Sequence, residues 1–349
     1  MKNGYKTAWI YFVIHLFVEI VCFQTLYAYF RNIPLSWLMM ISYDFLAFVP
    51  QGLFGVLMDK YSKLNLGLFG AILMFVSTLI FLFNCTHLHV VGLILVALGN
   101  AIIHTTGAIA TTTVSQGELS HTAIFVGGGS FGVIIGQTLG DYQVSMVVSS
   151  LLCIAIGVLI QMTNNVWVKE KRTIPKFNLA NNNVSFWAVI LVAFLVVIVR
   201  SYIGYAIPIS WKKELWQAFL LFFTMGIGKI AGGVLSDKFG ARKVGVLSTL
   251  LCVPFLLIGN NNMLISIIGV FLFSLTMSIS FGTLLSVIDN SPGLAFGVTT
   301  IGLFIGVMPI FFFKISPMAN MILIIILSVS CALGMYFTMS DNHTDKSIY

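Results

Sequence analysis

Six ionisable side chains lie inside apolar stretches of this sequence: His15, Glu19, Asp44, His104, Arg200 and Lys229. A charge near the centre of a bilayer costs several kcal/mol, so each of them is a candidate for proton or anion chemistry. His15 stands four residues before Glu19 and Cys22 three after, which places the three side chains on one helix face. A carboxylate with an imidazole neighbour can take up and release a proton once water is excluded. Arg200 presents a planar guanidinium that can grip an anionic group through two parallel hydrogen bonds. Asn100, His104, Gly107 and Thr111 follow at spacings of four, three and four, a polar stripe on one helix. His104 is there to relay protons, to bind a solute, or as a hydrogen-bonded packing residue. Asp44, beside Tyr43, reads as a second protonation site, an outer gate, or a group satisfied by an interhelical hydrogen bond. Lys229 either reaches a cavity or snorkels to the interface. Tyr27, Tyr205 and Trp211 are candidate solute contacts.

Other chemistries find no support in the residues. No nucleophile–base set is readable, so an enzyme is not expected. No G-x-x-x-x-G-K-[ST] follows a strand, which argues against direct ATP drive. The five cysteines lack metal-type spacing, and His87 with His89 is too small a set. Neither a metal nor a cofactor is expected.

The elements that hold these groups are set by composition. With 58% hydrophobic and 8% charged residues and a mean hydropathy of +1.01, the chain is far from a soluble domain, which carries about 25% charged residues. Twelve apolar runs are long enough to span a bilayer, near 8–30, 36–58, 66–84, 88–112, 123–141, 144–167, 184–208, 214–236, 243–259, 262–288, 293–313 and 317–339. Lipid leaves no partner for an exposed amide, so the runs must be helices. The first run carries Glu19 and lacks a small-residue cleavage pattern, unlike a signal peptide. Twelve cations (Lys2, Lys6, Lys60, Lys63, Lys169, Lys171, Arg172, Lys176, Lys238, Arg242, Lys243 and Lys346) fall on one side, against Arg31, Lys212, Lys213 and Lys314 on the other. That bias puts both termini in the cytoplasm. The net charge of +7 then reflects orientation in a plasma (inner) membrane. With no soluble domain to carry a basic surface, nucleic acid is not a partner.

The chain also repeats itself. Gly55-Val56-Leu57-Met58-Asp59-Lys60-Tyr61 returns 178 residues later as Gly233-Val234-Leu235-Ser236-Asp237-Lys238-Phe239. At the same offset Val18, Ile20, Val21, Tyr27 and Ala28 match Val196, Ile198, Val199, Tyr205 and Ala206, and Arg200 takes the place of Cys22. Gly127, Gly132 and Gly136 are echoed by Gly297, Gly302 and Gly306, spacings that let a neighbouring helix approach closely. The expected organisation is a six-helix bundle over 1–168, a linker over 169–183, a second bundle over 184–340, and a tail over 341–349.

This plan resembles the major facilitator superfamily over essentially the whole chain. The superfamily's signature G-x-L-x-D-[RK]-x-G-[RK] is matched by Gly233 to Arg242 with one extra residue, while the first copy has Ser62 in place of the glycine. The resemblance implies an all-α integral membrane fold of two pseudo-symmetric bundles around a central cavity faced by helices 1 and 7. Glu19 and Arg200 would then stand on opposite walls, as proton carrier and anion grip or as a buried ion pair tying the halves. It also implies a latch on the cytoplasmic side made by Asp59, Lys60, Asp237, Lys238 and Arg242. Gly127, Gly136 and Gly140 have the spacing found in drug/proton antiporters of this superfamily, with Asp141 where proline should stand. Gly99 to His104 faintly resembles fosmidomycin-resistance-type exporters, but Thr105 and Thr106 replace their Pro-Glu. The function implied is secondary active transport of a small organic solute, anionic or zwitterionic, by a monomer that uses protons as coupling ion. A proton-driven drug efflux pump and a non-transporting sensor or scaffold are the alternatives.

Overall fold

The structure, a computed structural model, describes residues 2–83, 85–167 and 173–340. Lys169, Lys171, Arg172 and Lys346, the first part of the 169–183 linker and the 341–349 tail lie outside the described residues. Among the described residues fourteen α-helices follow one another: α1 Lys2–Thr25, α2 Ser36–Phe48, α3 Pro50–Lys60, α4 Gly67–Ile80, α5 Thr86–Thr113, α6 Ser120–Asp141, α7 Met146–Met162, α8 Phe186–Ala206, α9 Leu215–Phe239, α10 Ala241–Ile258, α11 Met263–Ser274, α12 Met277–Leu285, α13 Pro292–Phe312 and α14 Pro317–Thr338. A π-helical turn, Leu26–Phe30, extends α1. Beyond helices, the described residues hold only an isolated bridge between Ala180 and Met339.

Two of the apolar runs are broken. Pro50 has no N–H to return to the preceding turn, so α2 stops at Phe48 and α3 starts at Pro50. The tenth run parts between Ser274 and Met277, where the Phe273 carbonyl accepts a hydrogen bond from the Thr276 hydroxyl. Counting each broken run once, ten spans among the described residues are long and apolar enough to cross a membrane. The helices Gly67–Ile80 and Met146–Met162 are apolar but shorter. Fourteen residues rise about 21 Å at 1.5 Å each, less than a hydrocarbon core of roughly 30 Å.

By contact the chain forms two compact units: Met1–Val114 with Gly128–Ile174 and Asn290–Thr300, and Ser115–Gly127 with Pro175–Asp289 and Ile301–Tyr349. In the first, α1 packs on α5 and α7, α4 lies between α5 and α7, and α2 and α3 line α5. Glycines on α6 seat it against α1: a Cβ on Gly132 would stand 2.3 Å from the Leu16 carbonyl oxygen. In the second, α8 packs on α12 and α14, and α10 on α9, α11 and α14. The same device recurs there, since a Cβ on Gly306 of α13 would stand 2.2 Å from the Ile198 carbonyl oxygen of α8.

The described part of the linker is docked on the second unit. Phe177 and Leu179 are buried. The Leu179 N–H donates to the Ser286 hydroxyl, and Asn181 and Ser340 exchange backbone hydrogen bonds with Thr338 and Leu179.

Candidate functional site

The first unit buries a cluster around Glu19. His15 and Glu19 are one turn apart on α1, and α5 brings His104 to the same carboxylate. Glu19 Oε1 lies 3.2 Å from His104 Nε2 and 3.6 Å from His15 Nε2. The two imidazoles meet edge-on, with ring centroids 4.3 Å apart. His104 Nδ1 faces the Asn100 carbonyl oxygen at 3.0 Å, a bond that fixes the ring's orientation. One turn away, Asn100 Nδ2 donates to the Tyr43 hydroxyl (2.7 Å) and to Cys22 Sγ (3.3 Å). Tyr43, Cys22, Asn100, His15 and His104 are all at most 9% exposed. The site is a buried polar network on α1, α2 and α5.

Helix α6 closes it with glycines. The His15 ring rests on Gly129, where an added Cβ would come within 2.4 Å of Nε2, and the Glu19 Cβ rests on Gly132. Asp44, on α2, makes no hydrogen bond or ion pair among the described residues. The ligand atoms of His15, Glu19 and His104 lie within 4.8 Å of one another, a spacing that would also admit a divalent cation.

In the second unit, Arg200 is 9% exposed. Its Nη1 donates to the Phe273 carbonyl (2.7 Å) and to the Thr276 hydroxyl, and its guanidinium carbon lies 4.7 Å from the centre of the Phe273 ring. No carboxylate among the described residues pairs with it, and both hydrogen bonds leave from one nitrogen. A buried guanidinium with open donors has the geometry to accept an anionic group.

The repeated hairpins hold two further sites, one in each unit. The Asp59 carboxylate accepts from the N–H groups of Gly293 (3.0 Å) and Leu294 (2.8 Å), the first turn of α13. Asp237 accepts from Leu119 (2.7 Å) and Ser120 (2.9 Å) at the start of α6. Each carboxylate thus satisfies two orphan donors and meets the positive end of a helix dipole. The preceding glycines allow the approach: Gly55 abuts Gly293, and Gly233 abuts Leu119 and Ala123. Lys60 and Lys238 lie over the rings of Tyr61 and Phe239, and Arg242 over Tyr336.

The sequence profile of the Major Facilitator Superfamily matches residues 9–298. The chain belongs to the major facilitator superfamily. Solved superfamily structures share the fold. The E. coli fucose:proton symporter FucP aligns at a TM-score of 0.68 with 14% identity, covering 95% of this chain and 98% of that one. FucP in the outward conformation aligns at 0.65 with 17% identity over 96% and 99%. The human organic anion transporter MFSD10 aligns at 0.67 with 14% identity over 95% and 99%. At these identities the likeness concerns the fold alone. No curated protein matches the chain.

Of the residues singled out from the sequence, His15, Glu19, His104 and Asn100 converge in one cluster. Lys229 is half-buried on α9, Tyr27 packs under the Arg31 guanidinium at 4.8 Å, and Tyr205 is exposed. Glu118 lies 3.9 Å from His121. Tyr43 and Cys22 are members of the network that sequence reasoning did not select. Cys22 shares the Glu19 face and so carried a signal, whereas Tyr43 joins only through the packing of α2 on α5. The ion pair of Arg31 with Asp141 was also not foreseen. It ties the residue after α1's π-helical turn to the end of α6, using the aspartate that stands where antiporters have proline.

Proposed function

We propose that this superfamily member is a proton-coupled secondary transporter of a small organic anion or zwitterion, in which Glu19 carries the coupling proton and Arg200 grips the solute. The observation that carries the reading is the Glu19 carboxylate, 12% exposed, set against two imidazoles. Such a group is neutral when loaded and charged when empty, the property a coupling site needs. Arg200, buried with no carboxylate partner among the described residues, supports a solute that brings its own negative charge. Asp44 stands as a second protonation site and His15, His104 and Asn100 as members of the cavity wall, with Tyr27, Tyr205 and Lys229 as its outlying contacts. The caps made by Asp59 and Asp237 support a latch at the hairpins, with Lys60, Lys238 and Arg242 beside it. Their release during the cycle would free the first turns of α13 and α6.

The same reading takes Gly67–Ile80 and Met146–Met162 as crossings, which gives twelve in bundles 1–168 and 184–340, joined by 169–183. Both termini and the 341–349 tail face the cytoplasm of a cell whose plasma membrane the protein spans as a monomer. Of the antiporter-like glycines on α6, Gly136 and Gly140 abut α1 and its π-helical turn and Gly127 abuts α9, a packing role that does not by itself point to drug efflux.

The test is reconstitution into liposomes containing a pH-sensitive dye, challenged with labelled short-chain carboxylates, dicarboxylates and amino acids. A transported solute should move protons with it. Glu19→Gln should abolish accumulation driven by the pH gradient yet leave solute exchange measurable, because exchange needs no deprotonation step. Arg200→Lys keeps the charge but loses the planar fork, so it should weaken anion affinity more than folding. Rescue of stability and driven transport by a Glu19→Arg, Arg200→Glu swap would refute the assignment in favour of a structural ion pair.

A further inference from the structure

We propose that Glu19 and His104 hold one proton between them in this structure, and that the pair, not the carboxylate alone, is the unit that loads and releases it. The proposal follows from what each atom can do. The Asn100 carbonyl oxygen can only accept, so His104 Nδ1, 3.0 Å away, carries a hydrogen. A neutral imidazole protonated there has a bare lone pair on Nε2. That nitrogen faces Glu19 Oε1 at 3.2 Å, and an ionised carboxylate has only lone pairs to offer. Two lone pairs at this distance, out of water, repel. One added proton turns the contact into a bond, written as Nε2–H···Oε1 or as Oε1–H···Nε2. The opposite tautomer only moves the conflict, because a bare Nδ1 would then face the carbonyl.

His15 stands further off, its Nε2 3.6 Å from the same oxygen. The other groups facing the pair are few. From α1 come His15 and Cys22, from α2 Tyr43 and Asp44, from α5 Asn100, and from α6 the glycines Gly129 and Gly132. Helices α4 and α7 carry no acidic or basic side chain. Asp44 is therefore the one further carboxylate facing the pair among the described residues.

When the proton leaves to water, the pair passes from net neutral to net negative. The lone pairs of α1 and α5 then stand opposed, so release loosens the packing of those helices. Asn100 and the α6 glycines act as positioning residues, one fixing the tautomer and the others the ring and the carboxylate. Only the link to transport rests on the proton-coupled reading; the proton count stands on the hydrogen bonds.

The experiment is NMR of the full-length protein in lipid nanodiscs, with ¹⁵N-histidine and ¹³C-carboxyl glutamate, His104 and Glu19 being assigned by His104→Gln and Glu19→Gln. The expected spectrum has a protonated Nδ1 on His104 and one further proton, on Nε2 or on the Glu19 carboxyl, lost in a single step as pH is raised. In Glu19→Gln the amide donates to a bare Nε2, so His104 should stay neutral and that step should vanish. In His104→Gln the side-chain amide donates to the ionised carboxylate, so Glu19 should keep no proton at the pH where the wild type holds it. A His104 with bare Nδ1, or a neutral His104 beside an ionised Glu19, would overturn the proposal. So would stoichiometric metal in the purified protein whose removal by chelator shifts the His15 and His104 signals, since the gap would then be a divalent-cation site. Failure of proton-coupled transport shows separately, as solute uptake in the dye-loaded liposomes without proton movement.

Discussion

Replacing Asp237 with asparagine should strip protection from two particular backbone amides. The carboxylate accepts from Leu119 and Ser120 at 2.7 and 2.9 Å, one oxygen to each. Asparagine keeps one acceptor and turns the other into an NH2 group, which points hydrogens at a backbone N–H. One charge-assisted bond is lost outright, worth about 1.5–3 kcal/mol, and the favourable meeting of charge with helix dipole goes with it. Taking about 2 kcal/mol, hydrogen exchange at the Leu119 and Ser120 amides should quicken about 30-fold. Asp59→Asn should do the same to Gly293 and Leu294 and leave Leu119 and Ser120 alone, so each variant is the control for the other. The assay is hydrogen–deuterium exchange read at peptide or residue level on the reconstituted protein. Exchange that changes by less than about threefold at the targeted amides, or that rises equally at all four, would refute the capping geometry.

Gly132→Ala should lower the thermal unfolding midpoint in detergent, by the equivalent of about 1–3 kcal/mol, because its Cβ would meet the Leu16 carbonyl oxygen at 2.3 Å; an unchanged midpoint would contradict the close approach of α6 to α1. Gly240 has φ +91°, where other residues are strained, so Gly240→Ala should cost about 1–3 kcal/mol. Ser62 has no such conformation, so Ser62→Gly relieves no backbone strain and should not raise the midpoint in the same melt. Asn178 is exposed in the linker, so Asn178→Cys should resist an impermeant thiol reagent added to intact cells and react once they are permeabilised. Labelling from outside would reverse the proposed orientation.

Much of the fold is legible because lipid permits so little. An apolar run in a bilayer has to be a helix, and the observed helix ends fall within a few residues of the runs from which they were read. The His15–Glu19 pairing was likewise legible, since residues four apart on a helix must share a face. His104 was visible only as a polar residue on a buried stripe. Its contact with Glu19 depends on how α1 and α5 are rotated about their own axes, and that is set by packing, not by local spacing. The hairpin aspartates were legible as a repeat, but the N–H groups they meet lie more than a hundred residues away in the chain. The first hairpin's serine reads as a departure from the superfamily signature until the backbone is seen. After α3 the chain turns without a positive φ, so a glycine is needed after α9 at Gly240 and not at Ser62.

Helix α6 passes from one contact unit to the other at Gly127–Gly128, inside the run Gly127-Gly128-Gly129. Each glycine in a helix interior gives up about 1 kcal/mol relative to alanine, so three together make the least stiff stretch of this rod. The first turn is pinned by Asp237 and the remainder is bedded against α1. That run lies within one turn of the His15 ring, which rests on Gly129. The glycines that seat the Glu19 cluster are also the residues that hold their own helix least firmly, so replacing them with alanine would set close packing against helix propensity.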